Sequence, residues 1–298
     1  MRNMHNPDPW LVAVDIDGTL LNTEVDNRLA ARGIDALEAV RSAGHTPALC
    51  TGRNLNSTRH LLEQSAWYPD DLPLVLLNGA VIWGDVPRRR LVCNILEAAD
   101  ISTLVSLFKH FETVPMVYGT DEEDGLLRHE PRPVNEIMDR YLGNRRREMG
   151  AVEVVANLED VSWGQALEVG TIDTRERVMA LSEAIGARLG DRVKVINTRS
   201  LLGGGVYYWA EAFHGGSDKG AALKTLAAHC GIPLRRSLAM GDNFNDLDMF
   251  AAAGFSVAMA DGPAEVQEKA DLVVPGIAAG GAAQVLQDFA AGKLDLPS

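Results

Sequence analysis

Short apolar runs that stop abruptly at polar residues are the feature of this sequence that most constrains its fold. The first run, Leu11–Val14, is followed at once by Asp15, and the later runs end in the same way. These later runs lie at 46–50, 74–77 and 236–240. Strands that are covered on both faces have continuous apolar sequences of about this length. The runs therefore predict a buried sheet whose strands end in polar residues.

Segments with apolar residues at helical spacing separate these runs. Residues 27–43 form one such segment, which ends at Gly44, a residue type favoured just after a helix. Further helices are predicted at 54–66, 219–230 and 246–253, and further strands at 255–259 and 272–274. A strand–helix–strand order in both outer parts of the chain predicts an α/β fold with one doubly wound parallel sheet.

The pattern changes after about Gly84 and returns to its first form near the Asp218 position. Between these points, helices are predicted near 98–111, 133–142 and 174–189, and strands near 114–119, 165–172, 192–197 and 206–213. Polar alternation in these strands predicts an antiparallel sheet with one open face and helices on the other. We therefore expect a smaller α+β domain at 86–213, inserted into a core formed by 1–85 and 214–298.

The charge balance narrows the classes of partner. The 298 residues include 28 Lys and Arg against 41 Asp and Glu, which gives a formal net charge of −13. Such a surface repels phosphate backbones and anionic lipid, so neither nucleic acid nor a membrane is an expected partner. A phosphorylated small molecule would need a local metal ion or basic group to overcome this field.

Cysteine usage and hydropathy point to a cytoplasmic location. Cys50, Cys93 and Cys230 have neither metal-ligand spacing nor the arrangement of a disulfide framework. No stretch approaches the ~20 apolar residues that cross a bilayer. The apolar run that begins at Leu11 is also too short for the apolar region of a signal peptide.

Chemistry-bearing residues cluster at the predicted strand ends and at one helix start. In an open α/β sheet, ligands bind beyond the carboxyl ends of the strands. The four segments there are DIDGT at 15–19, TGR at 51–53, Lys219-Gly220 and GDNFND at 241–246. In this order and placement, they resemble the motifs of the haloacid dehalogenase (HAD) superfamily of phosphatases, in its Cof-like branch. The resemblance covers essentially the whole chain and implies a HAD-like, Rossmannoid core with an inserted cap domain.

The residues also fit phosphoryl transfer, whose charged transition state needs a nucleophile, cations and a proton donor. Asp15 supplies a carboxylate nucleophile that becomes a transient aspartyl phosphate. Asp17 protonates the leaving alkoxide and later accepts a proton from the attacking water. A carboxylate cluster that binds phosphate favours Mg²⁺, with Asp15 and Asp242 as the direct side-chain ligands.

The resemblance adds roles for the remaining motif residues. Asp17 contributes its backbone carbonyl to the metal, Asp246 acts through water or orients the metal's other ligands, and Asn245 contacts the phosphate or the substrate. Three further residues contribute to phosphate binding and catalysis. Lys219 adds a fixed positive charge, while the Thr51 hydroxyl and the Gly52 amide hydrogen-bond a phosphoryl oxygen.

Structural alternatives exist for most of these residues when each is considered alone. Thr51-Gly52 is compatible with an ordinary strand-to-loop turn, and Lys219 with a solvated first-turn lysine. Asp242 and Asp246 suit a turn acceptor and a helix N-cap. Asp15 is harder to explain structurally, because a carboxylate after a buried strand is costly without a cation or a donor.

The expected activity is Mg²⁺-dependent hydrolysis of a small phosphorylated metabolite, such as a sugar phosphate, by a monomer or homodimer. Two alternatives stay open: a phosphomutase on the same core and, from a different class, a phospho-aspartate signalling or binding protein. The GDNFND string counts against the phosphomutase, because related phosphomutases have a different fourth motif. Asp17 counts against the signalling protein, which needs no general acid two residues after its nucleophile. In the inserted domain, Arg128, His129 and Arg132 are possible contacts to the substrate.

Overall fold

The computed structural model describes residues 8–23, 25–84, 89–120, 126–132, 134–149, 152–200 and 204–296. The chain forms two compact units. The first comprises Met1–Arg53, Thr58–Val92 and Asp218–Ser298, and the second comprises Asn54–Ser57 and Cys93–Ser217. The sequence-based domain boundary at 86 lies outside the described residues.

Single strands and α-helices alternate in the two outer parts of the chain, whereas between Gln64 and Lys219 the strands occur in groups. The strands are β1 (Leu11–Asp15), β2 (Thr46–Cys50), β3 (Leu74–Leu76), β4 (Val81–Trp83), β5 (Arg90–Cys93), β6 (Leu96–Glu97), β7 (Met116–Tyr118), β8 (Leu127–His129), β9 (Val152–Val154), β10 (Gln165–Ala166), β11 (Glu168–Thr174), β12 (Val193–Arg199), β13 (Tyr207–His214), β14 (Ser237–Gly241), β15 (Phe255–Met259) and β16 (Leu272–Val274). The α-helices are α1 (Ala31–Ser42), α2 (Leu55–Gln64), α3 (Ala98–His110), α4 (Glu136–Met149), α5 (Arg175–Leu189), α6 (Lys219–Cys230), α7 (Leu247–Ala252), α8 (Ala264–Gln267) and α9 (Gly281–Ala290).

The sheet of the first unit has the strand order β16-β15-β14-β1-β2-β3-β4-β5. Every pairing from β16 to β3 is parallel, and β4 pairs antiparallel to β3. The predicted α/β fold with a largely parallel sheet is therefore confirmed. The antiparallel β4 and the adjacent β5 add an edge that the sequence analysis did not predict, as is common in large α/β sheets.

Helices cover both faces of this sheet. Leu11 and Ala13 of β1 belong to an apolar cluster that also contains Leu223 of α6 and Phe250 of α7. Val12, which points to the opposite face, is also fully buried. Elsewhere in this unit, α1 packs against α9. Burial on both faces explains why β1 is apolar along its length up to Asp15.

The sheet of the second unit has the order β12-β13-β11-β7-β8-β9. Its described pairings are antiparallel except that between β8 and β9, which is parallel. One face packs on α3 and α5, and the core there includes Phe108 and Leu181. On the other face, Ile137 and Leu142 of α4 pack with Met116 of β7.

The expectation of one open face in the second unit is therefore wrong. The apolar stripe of α4, Ile137, Met138 and Leu142, has to be buried, and it covers part of the face that was expected to be open. The longer segment of the second unit is Cys93–Ser217, because β5 continues the larger sheet, whereas β13 extends to His214 within the smaller one.

Over the described residues, the helices are all too short or too polar to cross a bilayer.

Candidate active site

Three neighbouring strands bring the sequence motifs to one edge of the larger sheet. β1 lies between β14 and β2, and all three strands run in the same direction. In this register Asp15 lies beside Cys50, so that Thr51 follows at the same edge. The chain order reverses between β1 and β14, which is where open α/β sheets bind their ligands.

Three carboxylates meet at this edge. Oxygens of Asp15, Asp242 and Asp246 all lie within 4.8 Å of one another, and all three side chains are buried. Asp15 ends β1 and Asp242 follows β14 directly. Buried carboxylates in such proximity require cations, because isolated buried charges are strongly unfavourable.

Lys219 provides one of these cations. Its Nζ donates to Asp15 Oδ1 and to Asp246 Oδ1, each at 2.6 Å, and its side chain has no exposed surface. Asp218 starts α6 as its N-cap and accepts from the Ala221 amide at 2.6 Å, which fixes the beginning of the helix. The lysine is thus the first residue of α6, and its ammonium is buried between two carboxylates.

The pKa values of two carboxylates in the cluster, Asp15 and Asp242, are raised first by burial and then by the neighbouring negative charges. Burial raises the pKa of Asp15 to about 8; the Lys219 ammonium opposes this rise, whereas Asp246 and Asp17 add to it. Burial, together with Asp15 and Asp246, also raises the pKa of Asp242 well above its usual range. The pKa of Lys219 is raised by the two carboxylates despite its burial. Three ionised carboxylates and one ammonium carry a net negative charge, which a further cation would compensate.

Gly18 permits the close approach of Asp242 to the loop after β1. Its φ is +92°, and a Cβ at this position would overlap the Asp242 carboxylate. The next residue, Thr19, donates from Oγ1 to Asp242 Oδ1 at 3.4 Å. Glycine is thus required at position 18 both for its backbone conformation and for the space it leaves.

Asp246 also has a structural task. Its Oδ2 accepts from the backbone amides of Asp242 (2.9 Å) and Asn243 (3.0 Å), and it forms a capping box with Asn243. The N-cap alternative is therefore partly realised: Asp246 occupies the N-cap position of α7 without a side-chain cap hydrogen bond, whereas the Asn243 side chain caps the turn before it. One carboxylate consequently organises the loop after β14 and binds Lys219.

Asp17 lies apart from the three-carboxylate cluster. Arg53 Nε donates to Asp17 Oδ2 at 2.8 Å and Arg53 Nη2 donates to Oδ1 at 2.6 Å, a bidentate ion pair. Thr51 Oγ1 donates to Asp17 Oδ2 at 3.5 Å and accepts from the Arg53 amide at 3.1 Å. Arg53 belongs to the second motif segment, TGR at 51–53, and its role was not predicted from the sequence.

Asn245 is held by Asn78, which is not among the site residues predicted from the sequence. Its Nδ2 donates to Asn78 Oδ1 at 2.9 Å. Asn78 follows β3, and its Nδ2 lies 3.3 Å from the position that a Cβ on Gly52 would occupy. The sequence does contain a signal for a role of Asn78: Asn78-Gly79 lies at the end of a predicted strand, as three of the motif segments that were selected also do.

The candidate substrate contacts in the second unit are engaged in its internal contacts. Arg128 pairs with Glu153 at 2.8 Å, and Arg132 pairs with Glu130 at 2.7 Å. His129 is buried, between the Glu130 carbonyl at 2.8 Å and Arg146 at 2.7 Å. These contacts give all three residues a structural role within the unit.

Comparisons with known proteins show which family the chain belongs to. A family model described as haloacid dehalogenase-like hydrolase matches residues 12–286. The chain is 42% identical over 279 residues to a phosphoglycolate phosphatase of Archaeoglobus fulgidus, covering 94% of this chain and 96% of that protein. It is 24% identical over 297 residues to a 5-amino-6-(5-phospho-D-ribitylamino)uracil phosphatase of Bacillus subtilis, covering 94% and 97%.

The fold is similar to that of solved structures in the same group. The HAD subclass IIB sugar phosphatase BT4131 superposes with a TM-score of 0.73 at 20% identity, covering 96% of this chain and all of that one. The likeness extends over both units of the chain, and the family model spans most of its length. The chain therefore belongs to the haloacid dehalogenase-like hydrolases, in their Cof-like group, and is a hydrolase of the phosphatase type.

Proposed function

We propose that this protein is a Mg²⁺-dependent phosphomonoesterase that hydrolyses a small phosphorylated metabolite through an aspartyl-phosphate intermediate. The observation that carries the proposal is the buried cluster of Asp15, Asp242 and Asp246, in which Lys219 is the ammonium that pairs with two of the carboxylates. A purely structural network gains little from three such acids at one point.

The donor set fits Mg²⁺. Magnesium prefers hard oxygen ligands and is commonly held by one or two carboxylates together with water and substrate phosphate. Asp15 and Asp242 would hold the ion through their side chains, Asp17 through its backbone carbonyl, and Asp246 through water. When bound, the ion would favour the ionised form of Asp15, whose pKa is raised mainly by burial, and would polarise the phosphoryl group.

Asp15 is the proposed nucleophile. Its carboxylate oxygen attacks phosphorus as the bond to the leaving oxygen breaks, which gives an acyl phosphate on Asp15 and an alcohol. Asp17 donates the proton that the departing alkoxide takes up. Thr51, the Gly52 amide, Asn245 and Lys219 are proposed to bind the phosphoryl oxygens.

Asp17 also acts in the second half of the reaction. It accepts a proton from the water that attacks the acyl phosphate, after which inorganic phosphate leaves and the Asp15 carboxylate is restored. The bidentate pair with Arg53 orients Asp17 as a carboxylate, the form that serves as this base. For the first half, the protonated carboxyl group has to turn from Arg53 towards the leaving oxygen.

The substrate is proposed to be a small phosphate monoester, with sugar phosphates as the first class to test. The similar proteins carry the names of phosphatases for phosphoglycolate, for a ribitylamino-uracil phosphate and for sugar phosphates. The second unit is proposed to act as the cap domain that recognises the leaving group. From the scattered cysteines, Cys50, Cys93 and Cys230, we propose a cytoplasmic location, and for the assembly we propose a monomer or homodimer.

Release of phosphate from an aryl phosphate, with Mg²⁺ and with a chelator, tests the activity. Asp15→Asn is expected to lower kcat by roughly 10³-fold or more. Asp17→Asn is expected to lower turnover by about 10²–10⁴-fold and to leave a trapped phosphoenzyme when the leaving group is good. Asp35→Asn, on the exposed face of α1, is the matched control. Turnover by Asp15→Asn at the rate of this control would disprove the nucleophile assignment.

A further inference from the structure

A strained turn directly follows β3. Leu77 and Asn78 both have positive φ angles, 48° and 52°, although neither is glycine. These angles lie in the left-handed region of backbone conformation, which asparagine adopts more readily than most residues but leucine rarely adopts. Both residues are buried, so contacts with the surrounding protein, and not with water, hold this backbone conformation. Strain of this kind persists where the surrounding structure imposes it, often at functional sites.

The same turn contacts three of the four motif segments. The amides of Leu77 and Asn78 donate to the carbonyls of Arg53 and Thr51, each at 3.0 Å. Gly79 lies so close to the Asp218 backbone that a Cβ would overlap it. The turn therefore joins the segment after β2 to the start of α6, where Lys219 lies.

The Asn78 side chain extends this connection to the loop after β14. Its Oδ1 accepts from Asn245 Nδ2 at 2.9 Å, across 167 residues of sequence. Its own Nδ2 is buried and makes no hydrogen bond to the described residues. A buried donor without an acceptor is unfavourable, as is the positive φ. Asn78 thus has two features that oppose stability, at a point where three motif segments meet.

We propose that Asn78 is a positioning residue of the phosphate site, acting through Asn245. A carboxamide has two N–H donors, and the bond to Asn78 fixes one of those on Asn245. The other is then set in a defined direction for an oxygen of the phosphoryl group. The proposal rests on the proposed function for the role of Asn245, but the contact between Asn78 and Asn245 is independent of it.

A double-mutant cycle between the two asparagines tests the proposal. Asn78→Gly removes the side chain and suits the positive φ, so the variant should melt no lower than the wild type. We expect it to lower kcat/KM for an aryl phosphate, and the affinity for inorganic phosphate measured by calorimetry with Mg²⁺, by about 10- to 100-fold. Asn245→Ala should give a similar loss, and the double variant should lose no more than Asn245→Ala alone.

Ala66→Gly is the matched control for relief of backbone strain. Ala66 has a φ of 51° and is exposed, away from the site. This variant should raise the melting temperature and leave kcat and KM unchanged. An Asn78→Gly protein that retains wild-type kinetics and phosphate affinity, or losses that multiply in the double variant, would overturn the positioning role.

A second background keeps the proposal testable if Asn78→Gly fails to fold. Asn78→Asp retains an acceptor for Asn245, so adding Asn245→Ala in that background should weaken phosphate binding by the same factor as in the wild type. A factor near one would contradict the proposal. If the wild-type protein hydrolyses no phosphate ester, the proposed function fails, while the phosphate-binding cycle still decides the role of Asn78.

Discussion

Lys219 Nζ lies 2.6 Å from Asp15 Oδ1 and 2.6 Å from Asp246 Oδ1, so that a single buried ammonium binds two carboxylates from different motifs. The three residues are far apart in the chain, and each belongs to a separate segment around the larger sheet. In the proposed reaction, this ammonium compensates the charge of the nucleophile before any substrate binds. The same contact has consequences for stability, because removing one member of a buried ion pair leaves the others uncompensated.

Replacing the buried ammonium should destabilise the fold. Lys219→Met is expected to lower the free energy of unfolding by about 3–5 kcal/mol, because Asp15 and Asp246 remain buried without their donor. Urea denaturation in a chelator measures the change. Lys224→Met, at an exposed position of the same helix, should change it by less than about 0.5 kcal/mol. Equal stability of the two variants would refute the structural importance of the pair.

Stability without divalent cations should fall as pH rises. The native Asp15 has a pKa of about 8 against an ordinary value of 3.8, so between these values the native state binds more protons than the unfolded state. The free energy of unfolding then declines through this window by up to about 1.4 kcal/mol per pH unit. The raised pKa of Asp242 acts in the same direction.

The Asp15→Asn variant isolates the contribution of Asp15 to this pH dependence. Between pH 5 and 8, its free energy of unfolding should decline less steeply than that of the wild type when unfolding is followed in a chelator. The difference in slope corresponds to about one proton fewer released on unfolding. Asp35→Asn should keep the wild-type slope. An Asp15→Asn slope equal to the wild-type slope would show that Asp15 is not protonated in the native state without metal.

Gly18→Ala should damage the site locally. The substitution places a Cβ in the space of the Asp242 carboxylate and forces a φ of +92° on alanine. We expect a loss of about 1–3 kcal/mol in the free energy of unfolding and roughly 10²-fold in kcat/KM. Thermal unfolding and aryl phosphate turnover measure the two effects.

Gly33→Ala is the matched control for Gly18→Ala. Gly33 lies in α1, and the nearest atom to its added Cβ would be Leu20 Cδ2 at 3.7 Å, an ordinary contact distance. The control should gain about 0.5–1 kcal/mol of stability with unchanged activity. If both glycine variants behave alike, close approach of Asp242 is not what requires glycine at position 18.

Glu130 should anchor the second unit. It is 3% exposed and accepts from Lys109 (2.6 Å), Arg132 (2.7 Å) and the Leu158 amide (2.8 Å). Although burial alone would raise its pKa, these donors lower it. Glu130→Gln is expected to lower the free energy of unfolding by about 2–3 kcal/mol at neutral pH.

The effect of Glu130→Gln should disappear at acidic pH. The depressed pKa makes the contribution of Glu130 fully present above the unfolded-state value and absent once the native carboxylate is protonated. Glu153→Gln, whose side chain is half-exposed beside Arg128, should cost less than about 1 kcal/mol. Urea titrations at neutral and acidic pH measure both effects. If Glu130→Gln lowered the free energy of unfolding equally at the two pH values, Glu130 would not act as an ionic anchor.

Much of the larger sheet could be predicted from local patterns. The predicted limits of α6 at 219–230 and of β15 at 255–259 match the structure, because apolar spacing and helix-end signals are strong there. The three-residue strands β8 and β9 were missed, because such short segments are defined by their pairing partners. The apolar positions of α9, such as Val285, Leu286 and Phe289, do have helical spacing and could have been recognised.

The sequence by itself determined the α/β class, the order of the parallel strands of the larger sheet along the chain, and the placement of carboxylates at strand ends, since each of these depends on neighbouring residues. Only the tertiary structure decided which side chains meet. Arg53 binds Asp17 across 36 residues and Asn78 binds Asn245 across 167, and no local pattern encodes either contact. Strand order and register set these distances, and they result from the packing of the whole unit.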